Sequence, residues 1–275
     1  MNSIRAITFD AGGTLLHPHP SVGAIYAEAM QRHGLTLDAD MLETAFRRVF
    51  KAGRRAPRET INETSEKEWW KSIVWQVLDE ATHRNAPGNS VKESPLPTPL
   101  EKWRERDIPT FSRMLECSAS PSEGGEKRGG DFESLFNDLW HTFAEPRRWR
   151  LDAGARETLV ELKKRGYRLA ILSNWDLRLR SLLEGLRLAP YFEHLIISSE
   201  AGFEKPDPRI FELAQHRFGL SPHEILHVGD SEHHDAEGAR KVGWRWVIVQ
   251  HHERIQPSTS GITRLTDLLE IYPAS

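Results

Sequence analysis

The sequence predicts an α/β protein: a doubly wound parallel sheet, with a wholly helical segment inserted after the first strand. Three observations carry this expectation. Short apolar runs of strand length recur along the chain, helical stretches alternate with them from residue 150 onward, and residues 17 to 148 keep helical periodicity alone.

The strand runs are Ala6 to Phe9, Leu169 to Leu172, Leu195 to Ile197, Ile225 to Val228 and Trp246 to Val249, each rich in β-formers. Their near-continuous apolar character fits strands covered on both faces. Between and after them lie helical segments at Ala153 to Arg165, Asp176 to Leu186, Pro208 to Arg217 and Asp235 to Val242. Gly166, Gly219 and Gly243 close the first, third and fourth of these. Repetition of strand, helix, strand implies parallel pairing through right-handed crossovers.

Within residues 17 to 148, Val22, Ile25, Tyr26, Ala29 and Met30 keep one face of a helix, as do Phe132, Leu135, Phe136, Leu139, Trp140 and Phe143. A third helix is expected to start at Ser65, capped by its hydroxyl with Glu68 reaching back, and carries Trp69, Trp70, Ile73, Val74 and Val77. The tryptophans are expected in the core of this segment, with one lining a pocket. No strand stands out there. Residues 84 to 130 hold six prolines and two Gly pairs, which predicts a mostly mobile loop. The expected domains are therefore residues 1 to 16 with 149 to 275, and an insertion of residues 17 to 148.

Composition excludes several function classes. Lysine and arginine total 37 against 40 acids, a net charge of −3 that offers no electrostatic case for nucleic acid. No run approaches the ~20 apolar residues that span a bilayer, and the first nine residues lack a signal-peptide pattern. The single cysteine, Cys117, rules out an internal disulfide and a multi-cysteine metal cage. A cytoplasmic protein acting on a small molecule is the expectation, with no nucleic-acid or membrane partner.

Chemistry is expected at the carboxyl ends of the strands, where loops and helix N-termini collect. Asp10 stands at the tip of the first strand, followed by Gly12, Gly13 and Thr14. Ser173 and Asn174 follow the second strand. Lys205 precedes a helix, and Asp230 and Asp235 follow the strand Ile225 to Val228. His233, His234, His251 and His252 are expected to be surface side chains, because adjacent histidines do not readily converge on one ion.

These four segments, in this order, resemble the four signature motifs of the haloacid dehalogenase superfamily. The helical insertion sits where that family carries its type 1 cap on a Rossmann-like core. Residues Ser65 to Val74, Ser173 to Leu179 and Lys205 to Phe211 narrow the resemblance to one branch of it. The resemblance implies that Asp10 is a covalent nucleophile, that Lys205 neutralises charge, and that Thr14, Ser173 and Asn174 hold substrate. It further implies a Mg²⁺ ion on Asp10, the Gly12 carbonyl, Asp230 and Asp235, and a small phosphorylated substrate. Independently, carboxylates in one crevice repel by about 4 kcal/mol per pair at ~4 Å with an effective dielectric near ~20. A cation has to compensate, and oxygen ligands alone favour Mg²⁺ over zinc.

One position departs from the pattern. Phosphatases of the family carry a second Asp two residues after the first, as acid and base, where this chain has Gly12. A positioned acid–base group contributes roughly 10²- to 10⁴-fold, so turnover is expected to suffer while metal binding survives. Three alternatives follow: a phosphate-binding or regulatory protein without turnover, a C–halogen hydrolase, and a C–P hydrolase using a lysine such as Lys51, Lys67 or Lys71. Asp230 argues against the C–halogen reading, since the 2-haloacid dehalogenases lack that acid.

Overall fold

A computed structural model of the chain describes residues 4–52, 61–83, 132–250 and 261–273. It divides into two compact units. One comprises Met1–Pro18, Glu59–Glu66 and Trp149–Ser275, and the other His19–Arg58 and Lys67–Arg148.

The first unit is built on six parallel strands: β1 (Ala6–Phe9), β4 (Arg168–Ser173), β5 (His194–Ile197), β6 (Ile225–Gly229), β7 (Arg245–Val249) and β8 (Gly261–Ile262). They lie in the order β5-β4-β1-β6-β7-β8, so the winding reverses between β1 and β6. Phe9 is in register with Ile171 on one side and Val228 on the other. Side chains alternate as a pleated strand requires. Ile7, Phe9, Leu169, Ile171, Leu226 and Val228 join one apolar cluster; Ala6, Ala170, Leu172 and Ile225 join another. Helices cover both faces: Ala155–Lys164 and Arg178–Gly185 bury leucines against the first cluster, and Pro208–Phe218 buries Ile210, Phe211 and Ala214 against the second. At about 25 cal/mol per Å² of apolar surface, this two-sided burial is what holds the β1 and β6 tips in place.

Three short strands were not anticipated, β8 at the sheet's edge and a pair outside the sheet. Leu16–Pro18 (β2) pairs antiparallel with Trp149–Leu151 (β3), tying together the two ends of the first unit's chain on either side of the insertion. Three residues each, one of them proline, leave no alternation to read.

The second unit is helical. Its helices are α1 (Val22–Arg32), α2 (Ala39–Ala52), α3 (Glu63–His83) and α4 (Phe132–Thr142). Ser21 caps α1 by accepting from Ala24 N at 3.1 Å. The stripes on α1, α3 and α4 meet in one cluster, where Tyr26, Met30, Val77 and Leu139 are buried. Trp69, Trp70, Trp75 and Trp140 pack partly buried against it. Helix α2 adds Leu42, Ala45 and Val49 and lies beyond the three helices expected.

Helix α3 starts two residues earlier than expected. Asn62 forms its cap, with Ser65 N donating to Asn62 Oδ1 at 2.9 Å and Asn62 N to Ser65 Oγ at 3.0 Å. Ser65 is therefore the third residue of a reciprocal box that Asn62 opens, not the cap itself. The first turn of α3 groups with the sheet unit, where Glu63 Oε2 accepts from Leu177 N at 3.0 Å. The expectations for residues 84 to 130, Cys117, His251 and His252 lie outside the described residues. Among the described residues, no helix is long and apolar enough to cross a membrane.

Candidate active site

The reversal between β1 and β6 opens a crevice at their carboxyl ends. Asp10 continues β1 into it, its N–H donating to Val228 O at 2.9 Å. One carboxylate oxygen, Oδ1, receives two donors: the Ser173 hydroxyl at 2.6 Å and the Lys205 ammonium at 3.0 Å. Lys205 Nζ also reaches Asp235 Oδ1 at 2.5 Å. Lys205 and Asp235 are buried, at 2% and 0% exposure, so this pair is screened far less than a surface one.

Asp235 is fixed on every side. Its Oδ2 accepts from Ser231 N at 2.9 Å, and its Oδ1 lies 2.9 Å from His227 Nε2. Since a carboxylate only accepts, His227 donates from Nε2, and its Nδ1 accepts from Thr8 Oγ1 at 2.8 Å. The residues between Asp230 and Asp235 wind as a π-helical turn, Glu232–Ala236, before an α-helix follows over Glu237–Lys241. The helix thus begins ahead of the expected Asp235, and the wide turn carries Asp235 back beneath the strand tip.

Asp10, Asp230 and Asp235 each offer an oxygen within 4.8 Å of the other two. Gly13 makes this approach possible. Its φ is +75°, and a Cβ there would lie 2.4 Å from Asp230 Oδ2. Three carboxylates against one ammonium leave two negative charges, and hard oxygen donors suit a divalent ion such as Mg²⁺. The residues fit the metal.

Protonation follows from this crowding. Burial depresses the Lys205 ammonium, but the charges of Asp10 and Asp235 outweigh it and hold its pKa above the ordinary lysine value. Burial would raise Asp235; the Lys205 charge and the His227 hydrogen bond overcome that and hold it below the carboxylate range. Burial pushes His227 down against the opposing pull of Asp235, which favours the neutral imidazole. Desolvation in the cleft, and then the charges of Asp10 and Asp235, push Asp230 up to about 7. Asp230 as a residue remains exposed, and its carboxylate faces the charges of Asp10 and Asp235.

Other expected residues fall differently. Asn174 spends its amide on the backbone of Lys205, donating from Nδ2 to Lys205 O at 2.9 Å and accepting from Lys205 N at 2.7 Å. It clamps the lysine loop, using one of the amide's two N–H donors and one lone pair of its oxygen. Thr14 is fully buried, and its hydroxyl has no hydrogen-bond partner among the described residues. Gly12 has no positive φ, but a Cβ on it would lie 3.1 Å from the Trp175 ring. His233 and His234 bond Glu237 and Ser231, at 2.9 and 3.1 Å. Two residues escaped the sequence reading: His227, absorbed into an apolar strand, and Trp175. A histidine inside a buried strand requires a polar partner, and that was the available signal.

Comparison with known proteins shows the family and the fold. The family model of the haloacid dehalogenase-like hydrolases matches residues 4–243. Haloacid dehalogenase-like hydrolase domain-containing protein 3 of Bos taurus is 30% identical over 257 residues, 93% of this chain and 85% of that protein. A phosphoserine phosphatase of Thermus thermophilus is 42% identical over 169 residues, 60% of this chain and 65% of its own. A HAD phosphatase from Thermococcus onnurineus shares the fold, with a TM-score of 0.60 at 19% identity over 99% of each chain. With Asp10 bonded to Ser173 and a buried Lys205, and paired acids on a doubly wound sheet, this chain belongs to the haloacid dehalogenase-like hydrolases.

Proposed function

We propose that this hydrolase transfers the phosphoryl group of a small phosphorylated substrate to Asp10, with Mg²⁺ bound, and that Gly12 holds its turnover low. The observation that carries the reading is the double donation to Asp10 Oδ1 from Ser173 and Lys205. Both donors orient one carboxylate oxygen and leave the other to face a phosphorus atom. Ser173 and Lys205 then stand beside the transferred oxygens, where their positive and polar character matters most as charge develops.

Asp10, Asp230 and Asp235, with the Gly12 carbonyl, would hold the ion. When bound, Mg²⁺ supplies charge neutralisation between the carboxylates and the phosphate. The rest is done by the protein's own groups. Asn174 fixes the Lys205 backbone, His227 and Ser231 fix Asp235, and Lys205 ties Asp235 to Asp10. The helical insertion corresponds in this reading to the family's type 1 cap, and the single cysteine suits a reducing, cytoplasmic setting. The similarity to a phosphoserine phosphatase supports a phosphate ester as substrate.

A second reading, a phosphate binder without turnover, draws on Gly12, which supplies no proton donor, and on the indole that borders its side-chain space. A panel of phosphate esters, assayed with Mg²⁺ and with a chelator, separates the two. Mg²⁺-dependent phosphate release supports the enzyme. Phosphate-ester binding by calorimetry with no release over hours supports the binder.

A further inference from the structure

We propose that Trp175 is the wall against which the substrate's departing group lies, and that it selects flat aromatic leaving groups, making aryl phosphates the substrate class. This rests on the reading of Asp10 as phosphoryl acceptor. Two contacts between the same pair of loops point to it. Asp10 and Ser173, at the ends of β1 and β4, meet at 2.6 Å. Two residues further along both loops, Gly12 and Trp175 meet again. A Cβ built on Gly12 would lie 3.1 Å from Cζ3 of the indole and 3.9 Å from Cε3 and Cη2. The six-membered edge of the ring therefore borders the place of a side chain at position 12, two residues beyond the nucleophile.

The indole is held for this role. Trp149 packs against it, with centroids 5.1 Å apart and planes at 54°. Its backbone is pinned by Ser198, whose Oγ accepts from Trp175 N at 3.0 Å and donates to Trp175 O at 3.1 Å. Trp175 is only partly buried, so part of the ring remains open to a ligand.

Hydrocarbon beside this position has a chemical consequence. Transfer forms a bond from an Asp10 oxygen to phosphorus and breaks the bond from phosphorus to the leaving oxygen, which takes the electron pair. No proton is offered from position 12, so that oxygen departs as an anion. Water then attacks the aspartyl phosphate, returning the carboxylate and releasing inorganic phosphate. A phenol-type leaving group has a pKa of about 10, against roughly 15 to 16 for one resembling water. Aryl phosphates suit both the missing donor and the aromatic wall.

The test uses the full chain with Mg²⁺ and two non-hydrolysable probes, phenylphosphonate and methylphosphonate, with affinities read by calorimetry. The parent is expected to bind the phenyl probe about three- to tenfold more tightly than the methyl one. Trp175→Phe should keep that ratio, and Trp175→Leu should bring it near one. A parent without preference, or a Leu variant that keeps it, overturns the proposal; failure of both probes to bind overturns it together with the phosphoryl-acceptor reading. Acetyl phosphate, which has no ring, separates the two ideas through the intact mass of the protein. An adduct on Asp10 without phenyl preference sinks the role of Trp175 alone. Phenyl preference without any adduct upholds Trp175 as a binding wall and sinks Asp10 as acceptor.

Discussion

The Lys205 ammonium meets the Asp235 carboxylate at 2.5 Å with both side chains only 1% exposed, so neither charge is stable without the other. Lys205→Met should strand Asp235 in the interior and cost about 3 to 5 kcal/mol, toward the lower end because His227 and Ser231 remain bonded to it. Urea unfolding of the parent, the single variant and Lys205→Met/Asp235→Leu checks this. The double variant should recover part of the loss, and equal losses in both would show that the pair is not the source.

Stability of the metal-free protein should fall as pH rises toward neutrality. Asp230 is raised to about 7 in the folded state, from about 3.9 unfolded. Between these values the native state binds more protons than the unfolded one, so stability declines with pH and levels off above 7. Asp235 and His227, whose folded pKa values are lowered, act in the opposite sense; the loss from Asp235 appears only below the ordinary carboxylate range, and that from His227 only below the ordinary imidazole value of about 6.5. Melting temperatures in a chelator from about pH 6.5 to 8 should show the decline, and Asp230→Asn should flatten it.

Mg²⁺ should relieve the same repulsion. At a concentration 100 times its Kd, an ion that binds only the native state adds about 2.7 kcal/mol. The melting temperature should rise accordingly at pH 7.5, and Asp230→Asn should abolish most of the rise. An undiminished rise in that variant would remove Asp230 from the metal site.

The aspartyl phosphate should accumulate, because Gly12 supplies no base to activate water. Intact-mass spectrometry after exposure to acetyl phosphate should find one added phosphoryl group in the parent and none in Asp10→Asn. Rapid steady-state hydrolysis with no detectable adduct would show that dephosphorylation is not limiting.

Restoring an acid at position 12 should succeed only when Trp175 gives way. A Cβ at 3.1 Å from the ring requires a shift of a few tenths of an ångström, whereas Gly12 carries no positive φ to add backbone strain. Gly12→Asp alone should therefore raise kcat on an alkyl phosphate modestly. Gly12→Asp/Trp175→Leu should approach the roughly 10²-fold worth of a positioned acid. Thermal unfolding must accompany the rates. Equal kcat in the two variants, both folded, would show that the indole does not obstruct the carboxylate.

The five longer strands, their parallel winding, and the placing of Asp10, Ser173 and Asp230 at strand ends were legible because each depends on local periodicity and on position within an element. What involves distant partners was not. Leu16–Pro18 is a strand only because Trp149–Leu151 lies beside it. That Asn174 bonds the backbone of Lys205, 31 residues away, through both ends of its amide is likewise invisible in the sequence.

Residue type and order thus determined by themselves a doubly wound sheet with reactive groups at its carboxyl edge, since apolar period and turn chemistry are short-range. Only the tertiary structure decided how those groups pair: both donors on one oxygen of Asp10, a buried Lys205 shared between two acids, His227 behind Asp235, and an indole bordering the place of a side chain at Gly12. These are contacts between separate loops, fixed by strand order and by packing on two sheet faces, and no local pattern encodes which loop tips meet.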